Sequence, residues 1–176
     1  MYKPGQIVNF SNNHLFAKLI KFRNLLVYGE LGWSHSAIIT DIYKDHVLIH
    51  EALSQGFVSN KYEKWWLNMK LERGEIAIGT SKVKLKNVLK CANNYKGRPY
   101  AWWDIFNIFF SWISGRSSLI WRFFKGPKYL ICSEAVARVL YDSSDKKLNL
   151  EEEFNKPYDM IEPTDLFKSS QLKWIK

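Results

Sequence analysis

Short runs of β-branched and aliphatic residues recur through the first half of the chain, and polar stretches separate them. Five of these runs predict strands: residues 6–10, 33–41, 46–52, 57–58 and 75–79. Only a few polar turn residues separate the second run from the third, so these two are expected to form an antiparallel hairpin. The pattern therefore predicts a β-rich first half that contains at least one hairpin.

Helical spacing of apolar residues predicts three helices. The first covers about residues 14–28 and is stopped by Gly29, and the second covers about residues 84–95. The third begins near Cys132 at the end of an extended apolar run, and its buried face is formed by Ala135, Val136, Val139 and Leu140. Residues 143–157 are polar and acidic and are expected to form a surface loop. Strands and helices together indicate an α+β fold.

A chain of 176 residues with 47% hydrophobic and 24% charged residues is the size of one globular domain. We therefore expect a single domain over residues 1–176. An aromatic-rich segment at about residues 100–124 is interpreted as an insertion that forms a lid, a lipid-facing surface or extra core. Its uncharged run, residues 105–115, is well short of the ~20 residues that span a bilayer. No transmembrane segment is predicted, and peripheral membrane contact stays open.

The balance of charged residues favours anionic partners in general. Lys and Arg number 26 against 17 Asp and Glu, a net charge of +9. The basic residues are scattered, and the sequence has no helix-turn-helix, zinc-finger or aromatic ribonucleoprotein pattern. A basic surface without a specific nucleic-acid partner is therefore expected.

The number and spacing of the cysteines exclude several classes of protein. Two cysteines, Cys91 and Cys132, are too few for a disulfide framework, and no Cys/His cluster has zinc spacing. We therefore expect no disulfide framework and no zinc site, and the acyl transfer considered below needs neither a metal nor an organic cofactor. The first residues lack the apolar core and cleavage site of a secretory signal, so a cytoplasmic location is the default expectation, with export by another route left open.

Cys132 is the candidate nucleophile because it lies where an extended run ends and a helix begins. Unpaired backbone N–H groups and the helix dipole at such a position favour thiolate over thiol. Glu134, in the first turn, works partly against this effect. The alternative is a buried cysteine that acts as a small hydrophobic residue. Cys91 falls inside a predicted helix and is expected to be structural.

His35 and Glu51 are the candidate partners of Cys132. His35 opens an apolar strand, a position that holds a base rigidly at the edge of a core. Glu51 closes the next strand, and a carboxylate bonded to an imidazole orients the ring and stabilises its charged form. The alternatives are a structural histidine and a carboxylate at a solvated strand end.

These residues together resemble the circularly permuted branch of the NlpC/P60 superfamily, papain-like amidases in which the His strand precedes the Cys helix. Three segments carry the resemblance: residues 33–38, 49–52 and 131–136. Three looser matches support it: residues 4–8, 97–100 and 162–166. The segments occur in the family's order over nearly the whole chain.

The resemblance implies an α+β permuted papain-like fold, an antiparallel sheet or half-barrel packed against a Cys-bearing helix. It also implies a Cys132-His35-Glu51 hydrolase of peptide or peptidoglycan-type amides. Tyr100, together with Ser34 and Ser133, gives the substrate-binding or near-site candidates. Related permuted proteins include acyltransferases and lipid hydrolases, so a lipid ester or thioester is an alternative substrate. A catalytically silent binding protein on the same fold is the non-enzymatic alternative.

A geometric test follows from the predicted hairpin. In an antiparallel hairpin the numbers of paired residues have a constant sum, and side chains alternate between the two faces along each strand. The numbers of His35 and Glu51 add up to an even number, so these two side chains share a face of the sheet only if that constant sum is also even. A regular two-residue turn at Lys44 and Asp45 gives an odd sum and places His50 on the face of His35 instead. We therefore predict an odd loop, or a bulge with the same effect, that brings a Glu51 oxygen to within ~3.2 Å of a His35 ring nitrogen.

Overall fold

A six-stranded sheet organises the fold. The structure is a computed structural model that describes residues 2–12, 15–101 and 130–175. The strands are β1 Ile7–Phe10, β2 His35–Ile42, β3 His46–Leu53, β4 Gly56–Glu63, β5 Ile76–Ser81 and β6 Leu172–Ile175. The helices are α1 Leu15–Tyr28, α2 Lys64–Glu72, α3 Val88–Asn93, α4 Cys132–Ser143, α5 Leu150–Phe154 and α6 Pro163–Lys168, with a 3-10 turn at Tyr158–Met160.

The strand order is β4-β3-β2-β1-β5-β6, and every neighbouring pair is antiparallel. The short β1 lies inside the sheet because its two edges pair with β2 and β5, as in Ile7 with Ile38 and Ile7 with Gly79. The prediction of an α+β fold with an antiparallel hairpin is confirmed.

The two faces of the sheet bury different apolar sets because side chains alternate along each strand. On one face, residues such as Ile38 and Phe57 pack against α4, whose predicted buried face lies in this core. On the other face, Ala37, Ile39 and Ile49 pack with Leu67 of α2. Full burial of an isoleucine, leucine or phenylalanine side chain contributes about 1.5–3 kcal/mol, so apolar burial holds both α2 and α4 against the sheet.

Several elements differ from the sequence expectations. Strand β4 runs to Glu63 and not only through residues 57–58, because its polar residues continue to pair with β3. Helix α2 and strand β6 were not expected from the pattern. The helix expected over residues 84–95 covers only Val88–Asn93, because Asn87 has a left-handed φ of 52° that prevents an earlier start.

The expectation that residues 143–157 form a surface loop is wrong in part. The short helix α5 lies within this range, and Asn149 caps it by accepting a hydrogen bond from the Glu152 backbone N–H. Leu148 and Leu150 are fully buried in the core that packs on α4. The burial of these two leucines attaches an otherwise acidic segment to the core.

The aromatic segment predicted to be an insertion at about residues 100–124 lies outside the described residues except for Tyr100 and Ala101. The two described flanks meet, because Tyr100 forms an isolated bridge with Leu130, and the Ala101 N–H donates to the Leu130 carbonyl at 3.1 Å. The preceding turn is bound to β4 at Gly56, whose φ is +106° and where a Cβ would come within 2.5 Å of the Arg98 carbonyl oxygen. These contacts hold Tyr100 close to the start of α4.

No helix within the described ranges has both the length and the hydrophobicity to cross a bilayer.

Candidate active site

A bulge in the β2–β3 hairpin decides which side chain faces His35. Next to the turn, Ile42 pairs with Val47, and the register shifts between Ile39 and Asp41. Beyond the shift Ala37 pairs with Glu51. The extra residue at the shift is Thr40, and it moves every later pair by one position, which puts Glu51 on the His35 face. The predicted bulge is confirmed.

The imidazole of His35 and the carboxylate of Glu51 are in direct contact. His35 Nε2 and Glu51 Oε2 are 2.9 Å apart, and their side chains are only 13% and 2% exposed. The other carboxylate oxygen, Oε1, accepts hydrogen bonds from Asn60 Nδ2 at 2.9 Å and from the Tyr62 hydroxyl at 2.7 Å. Both oxygens of a buried carboxylate are therefore satisfied, and the carboxylate is held in one orientation.

Cys132 is the first residue of α4 and follows the extended Ile131, as the sequence predicted. Its thiol forms a hydrogen bond with His35, and the backbone amides of Ser36 and Ser133 also bond to the sulfur. Because Glu51 occupies Nε2 of the imidazole, the ring nitrogen left for the sulfur is Nδ1. The three side chains thus form a chain of contacts from thiol to imidazole to carboxylate.

The electrostatics of the contacts among Cys132, His35 and Glu51 favour a thiolate–imidazolium pair. Burial opposes charge on His35, but the negative charge of Cys132 and hydrogen bonds to Cys132 and Glu51 raise the His35 pKa to about 10. Burial likewise opposes the thiolate. The charge of His35, its hydrogen bond and the two backbone amides nevertheless lower the pKa of Cys132 below its usual range. A thiolate beside an imidazolium is the form expected at neutral pH.

Glu51 stays ionised despite its burial. Burial raises its pKa, and the hydrogen bond and charge of His35, together with the bonds from Asn60 and Tyr62, outweigh this effect and lower the pKa. The pKa of Tyr62 is raised by burial and by the charge of Glu51, so its hydroxyl keeps the proton that it donates. The carboxylate can therefore stabilise a positive His35 over a wide pH range.

The three near-site candidates have different surroundings. Tyr100 and Ser34 both line the cleft beside His35. The Ser34 hydroxyl donates to the Phe10 carbonyl at 3.1 Å and accepts from the Asn12 backbone N–H at 2.9 Å. Ser133 is fully buried, and its hydroxyl donates to the Ile161 carbonyl at 2.6 Å. Ser133 therefore reaches the sulfur only through its backbone.

The cleft that contains His35 and Glu51 has a volume of about 400 Å³. Its described lining contains apolar and aromatic side chains, among them Phe10, Leu53 and Trp66. Apart from His35 and Glu51, the lining residues that the structure describes carry no charged side chain. This part of the cleft is suited to an uncharged group.

The sequence interpretation missed three residues that support the site. Asn60 and Tyr62 alternate along β4 on the Glu51 face, a period-2 signal that was hidden because only residues 57–58 were expected to be strand. The third is Asn9, whose Oδ1 accepts from the Ser36 hydroxyl at 2.6 Å and whose Nδ2 donates to the Pro163 carbonyl at 2.9 Å. A lone asparagine within an apolar strand is the sequence signal that would have indicated it, because a buried polar side chain needs hydrogen-bond partners.

The described residues contain no group of three or more side chains that could hold a metal ion. Comparison of the chain with family models, with curated proteins and with solved structures gives no match.

Proposed function

We propose that the protein is a cysteine hydrolase that cleaves an amide bond in a peptide or peptidoglycan-type substrate. In this proposal Cys132 is the nucleophile, His35 the general base and acid, and Glu51 the residue that orients His35. The observation that carries it is the 2.9 Å contact between His35 and Glu51, with the thiol of Cys132 bonded to the same ring. Nucleophile, base and orienting group are the components that acyl transfer to a thiol requires.

The proposed reaction has two halves. The Cys132 thiolate attacks the carbonyl carbon, and the C–N bond breaks as the Nδ1 proton of His35 passes to the leaving amine. The resulting thioester is then attacked by water, whose proton goes to His35, and the C–S bond breaks to release the carboxylic acid. Glu51 accepts the Nε2–H of His35 throughout, which keeps Nδ1 directed at the reacting atoms.

Two groups are proposed to stabilise the negative oxygen of the tetrahedral intermediate. One is the backbone N–H of Cys132, which lies at the positive end of α4. The other is the hydroxyl of Tyr100, which lines the cleft. Burial and the charge of Cys132 raise the pKa of Tyr100, so its proton stays available for donation.

The arrangement of elements supports the permuted papain-like fold. A strand that begins with His35 precedes the helix that begins with Cys132, and this helix packs against the antiparallel sheet. Those are the elements that the resemblance to the permuted NlpC/P60 proteins implies. The finer fold assignment is part of the proposal, because a sheet with a packed helix is shared by many functions.

A lipid ester or thioester is the second candidate substrate, and the lining of the cleft favours it. The described lining offers apolar surface and no charge beyond His35 and Glu51, which suits a neutral acyl group better than a peptide with free carboxylates. The same thiol chemistry serves both substrates. Paired model esters that share one leaving group, one with a peptidyl and one with a fatty acyl group, distinguish the candidates by their ratio of kcat/KM.

Cys132 should react with iodoacetamide at neutral pH on the order of 100-fold faster than Cys91, because the pKa of the first thiol is lowered and that of the second is raised by burial. Peptide mass mapping after timed labelling measures both rates in one sample. Cys91→Ala is the matched control and should retain the fast phase, whereas Cys132→Ala should lose it.

An acyl-enzyme tests the chemistry itself. Incubation with an activated ester such as 4-nitrophenyl acetate should add one acetyl group to the wild-type protein and to Cys91→Ala, visible by intact-mass spectrometry, but not to Cys132→Ala. Equal labelling of the two cysteines contradicts the assignment of the nucleophile. A reactive Cys132 that accepts no acyl group from any ester or amide points to the binding protein instead.

A further inference from the structure

Helix α1 turns polar side chains toward the protein. Ala17 and Asn24 are fully buried, and Tyr28, one turn beyond Asn24, is partly buried. Asn24 Nδ2 donates to the Trp33 carbonyl at 3.1 Å, and the Tyr28 hydroxyl donates to Asp165 Oδ1 at 3.1 Å. The inward face of this helix is therefore attached partly by polar contacts, beside the small buried side chain of Ala17.

The outward face of α1 is apolar. Leu19, Phe22, Leu25 and Leu26 lie within about 120° of arc at ~100° per residue. They are 39%, 53%, 42% and 51% exposed. Scattered exposed leucines are ordinary, but a contiguous set on one helix marks an interaction surface. We call these four residues the α1 stripe.

The charge of the helix indicates what covers the α1 stripe. Helix α1 contains Lys18, Lys21 and Arg23 and no acidic residue, and the chain as a whole carries a net charge of +9. Lys18 is exposed and adjoins the stripe. Two copies that met through this face would bring like charges together, whereas an anionic lipid surface offers both an apolar interior and opposite charge.

We propose that the α1 stripe docks the protein on an anionic lipid surface, with α1 lying in the plane of the headgroups. Ile20 of the same helix lines the cleft beside His35 and lies on the opposite side of α1 from the stripe, so the helix separates the docked surface from the cleft. This interaction surface does not depend on the proposed hydrolase activity, because neither the stripe nor its charges belong to the Cys132, His35 and Glu51 contacts.

Vesicle co-sedimentation tests the docking. The wild-type protein should partition into vesicles of mixed phosphatidylcholine and phosphatidylglycerol more strongly than into vesicles of phosphatidylcholine alone, and added salt should weaken the binding. The double variant Phe22→Gln/Leu26→Gln should lower the partition coefficient on the order of 10-fold, because both exposed side chains lose their apolar burial in the lipid.

The controls separate docking from folding and from self-association. Glutamine is a good helix former, so the variant should keep the far-ultraviolet circular dichroism and melting temperature of the wild type. Ile175→Thr removes a 57% exposed apolar side chain from β6 and should bind vesicles like the wild type.

Three outcomes overturn the proposal. They are no wild-type binding to the mixed vesicles, equal binding by the folded double variant, or a wild-type dimer in light scattering that the double variant converts to monomer. Labelling of Cys132 should be the same in the double variant and the wild type, so failure of docking and failure of the proposed chemistry give different results.

Discussion

Two regions of the molecule contain the same kinds of residue and treat them in opposite ways. In the Cys132 site, formed by Cys132, His35 and Glu51, the histidine bonds to a carboxylate and to a thiol at a helix start. In the His50 cluster, His50 Nδ1 lies 2.8 Å from Thr40 Oγ1, and Nε2 lies 3.3 Å from Asn93 Oδ1. Both of these hydrogen-bond partners are neutral, and the positive charge of Lys96 further disfavours a charged His50.

The pKa values of the two regions shift in opposite directions. The pKa of His35 is raised to about 10, whereas burial lowers that of His50. The pKa of Cys132 is lowered, whereas burial and the charge of Asp142 raise that of Cys91, which lies on the same helix as Asn93. Burial opposes charge in both regions, so the ionised partner and the helix start make the difference.

Of the substitutions considered, Glu51→Gln should reduce the difference between the pKa values of His35 and His50 most. Loss of the carboxylate charge lowers the pKa of His35, so the imidazolium that stabilises the thiolate is lost at a lower pH. We expect the alkaline inflection of the pH–rate profile for Cys132 alkylation, set by His35 near pH 10 in the wild type, to move down on the order of one to two pH units.

Glu63→Gln is the matched control, since Glu63 ends β4 on the exposed surface. It should leave the pH–rate profile unchanged. An unaltered profile in a folded Glu51→Gln protein would mean that Glu51 does not govern the charge of His35.

Tyr62→Phe should have a smaller effect on the same site. It removes the hydroxyl that donates to Glu51 Oε1 at 2.7 Å and leaves the bond from Asn60 in place. A hydrogen bond to a charged group contributes roughly 1.5–3 kcal/mol, part of which Asn60 and solvent retain. We expect the alkaline inflection of the pH–rate profile to move down by about half to one pH unit, because the less restrained carboxylate supports the imidazolium less well.

Tyr2→Phe provides the comparison for Tyr62→Phe. The Tyr2 hydroxyl donates to Asn68 Oδ1 at 2.7 Å on the exposed surface, so its removal should not move the alkaline inflection of the pH–rate profile. If the two variants behave alike, the contact between Tyr62 and Glu51 is structural only.

His50→Gln should have the smallest effect on the alkylation rate of Cys132, within about twofold, because no ionised group of the Cys132 site depends on His50. Its effect should appear in stability. The pKa of His50 in the folded protein is below its unfolded value of about 6.5, because burial favours the neutral ring. The contribution of neutral His50 to the free energy of unfolding is therefore fully present above pH ~6.5 and is lost as the pH falls through the folded pKa.

Urea denaturation between about pH 8 and pH 5 measures this dependence. His50→Gln should show a shallower loss of stability on acidification than the wild type. A steeper or equal slope in the folded His50→Gln protein contradicts a neutral, buried His50.

Local patterns predicted much of this molecule. Strands β1, β2, β3 and β5 follow from short apolar runs, and α4 follows from helical spacing. The positions of Cys132 at a helix start and of His35 at a strand start also follow, because they depend only on where neighbouring elements begin.

What the sequence did not predict depends on partners distant in the chain. Strand β6 exists because Leu172–Ile175 pairs with β5, nearly a hundred residues earlier. Asn60 and Tyr62 become supports of Glu51 only through the pairing of β4 with β3. Local propensity does not contain such pairings.

The sequence by itself therefore determined which residues begin the key strand and helix, because periodicity and turn signals are local. The chemistry expected of Glu51 led us to predict an odd loop or a bulge, but only the tertiary structure showed that a bulge at Thr40 turns Glu51 rather than His50 toward His35. A single extra residue in one strand reverses which side chains share a face, and no local pattern specifies that choice. The tertiary structure likewise decided that α1 turns Asn24 inward and Phe22 outward, because helix spacing marks two faces and packing selects which one is buried.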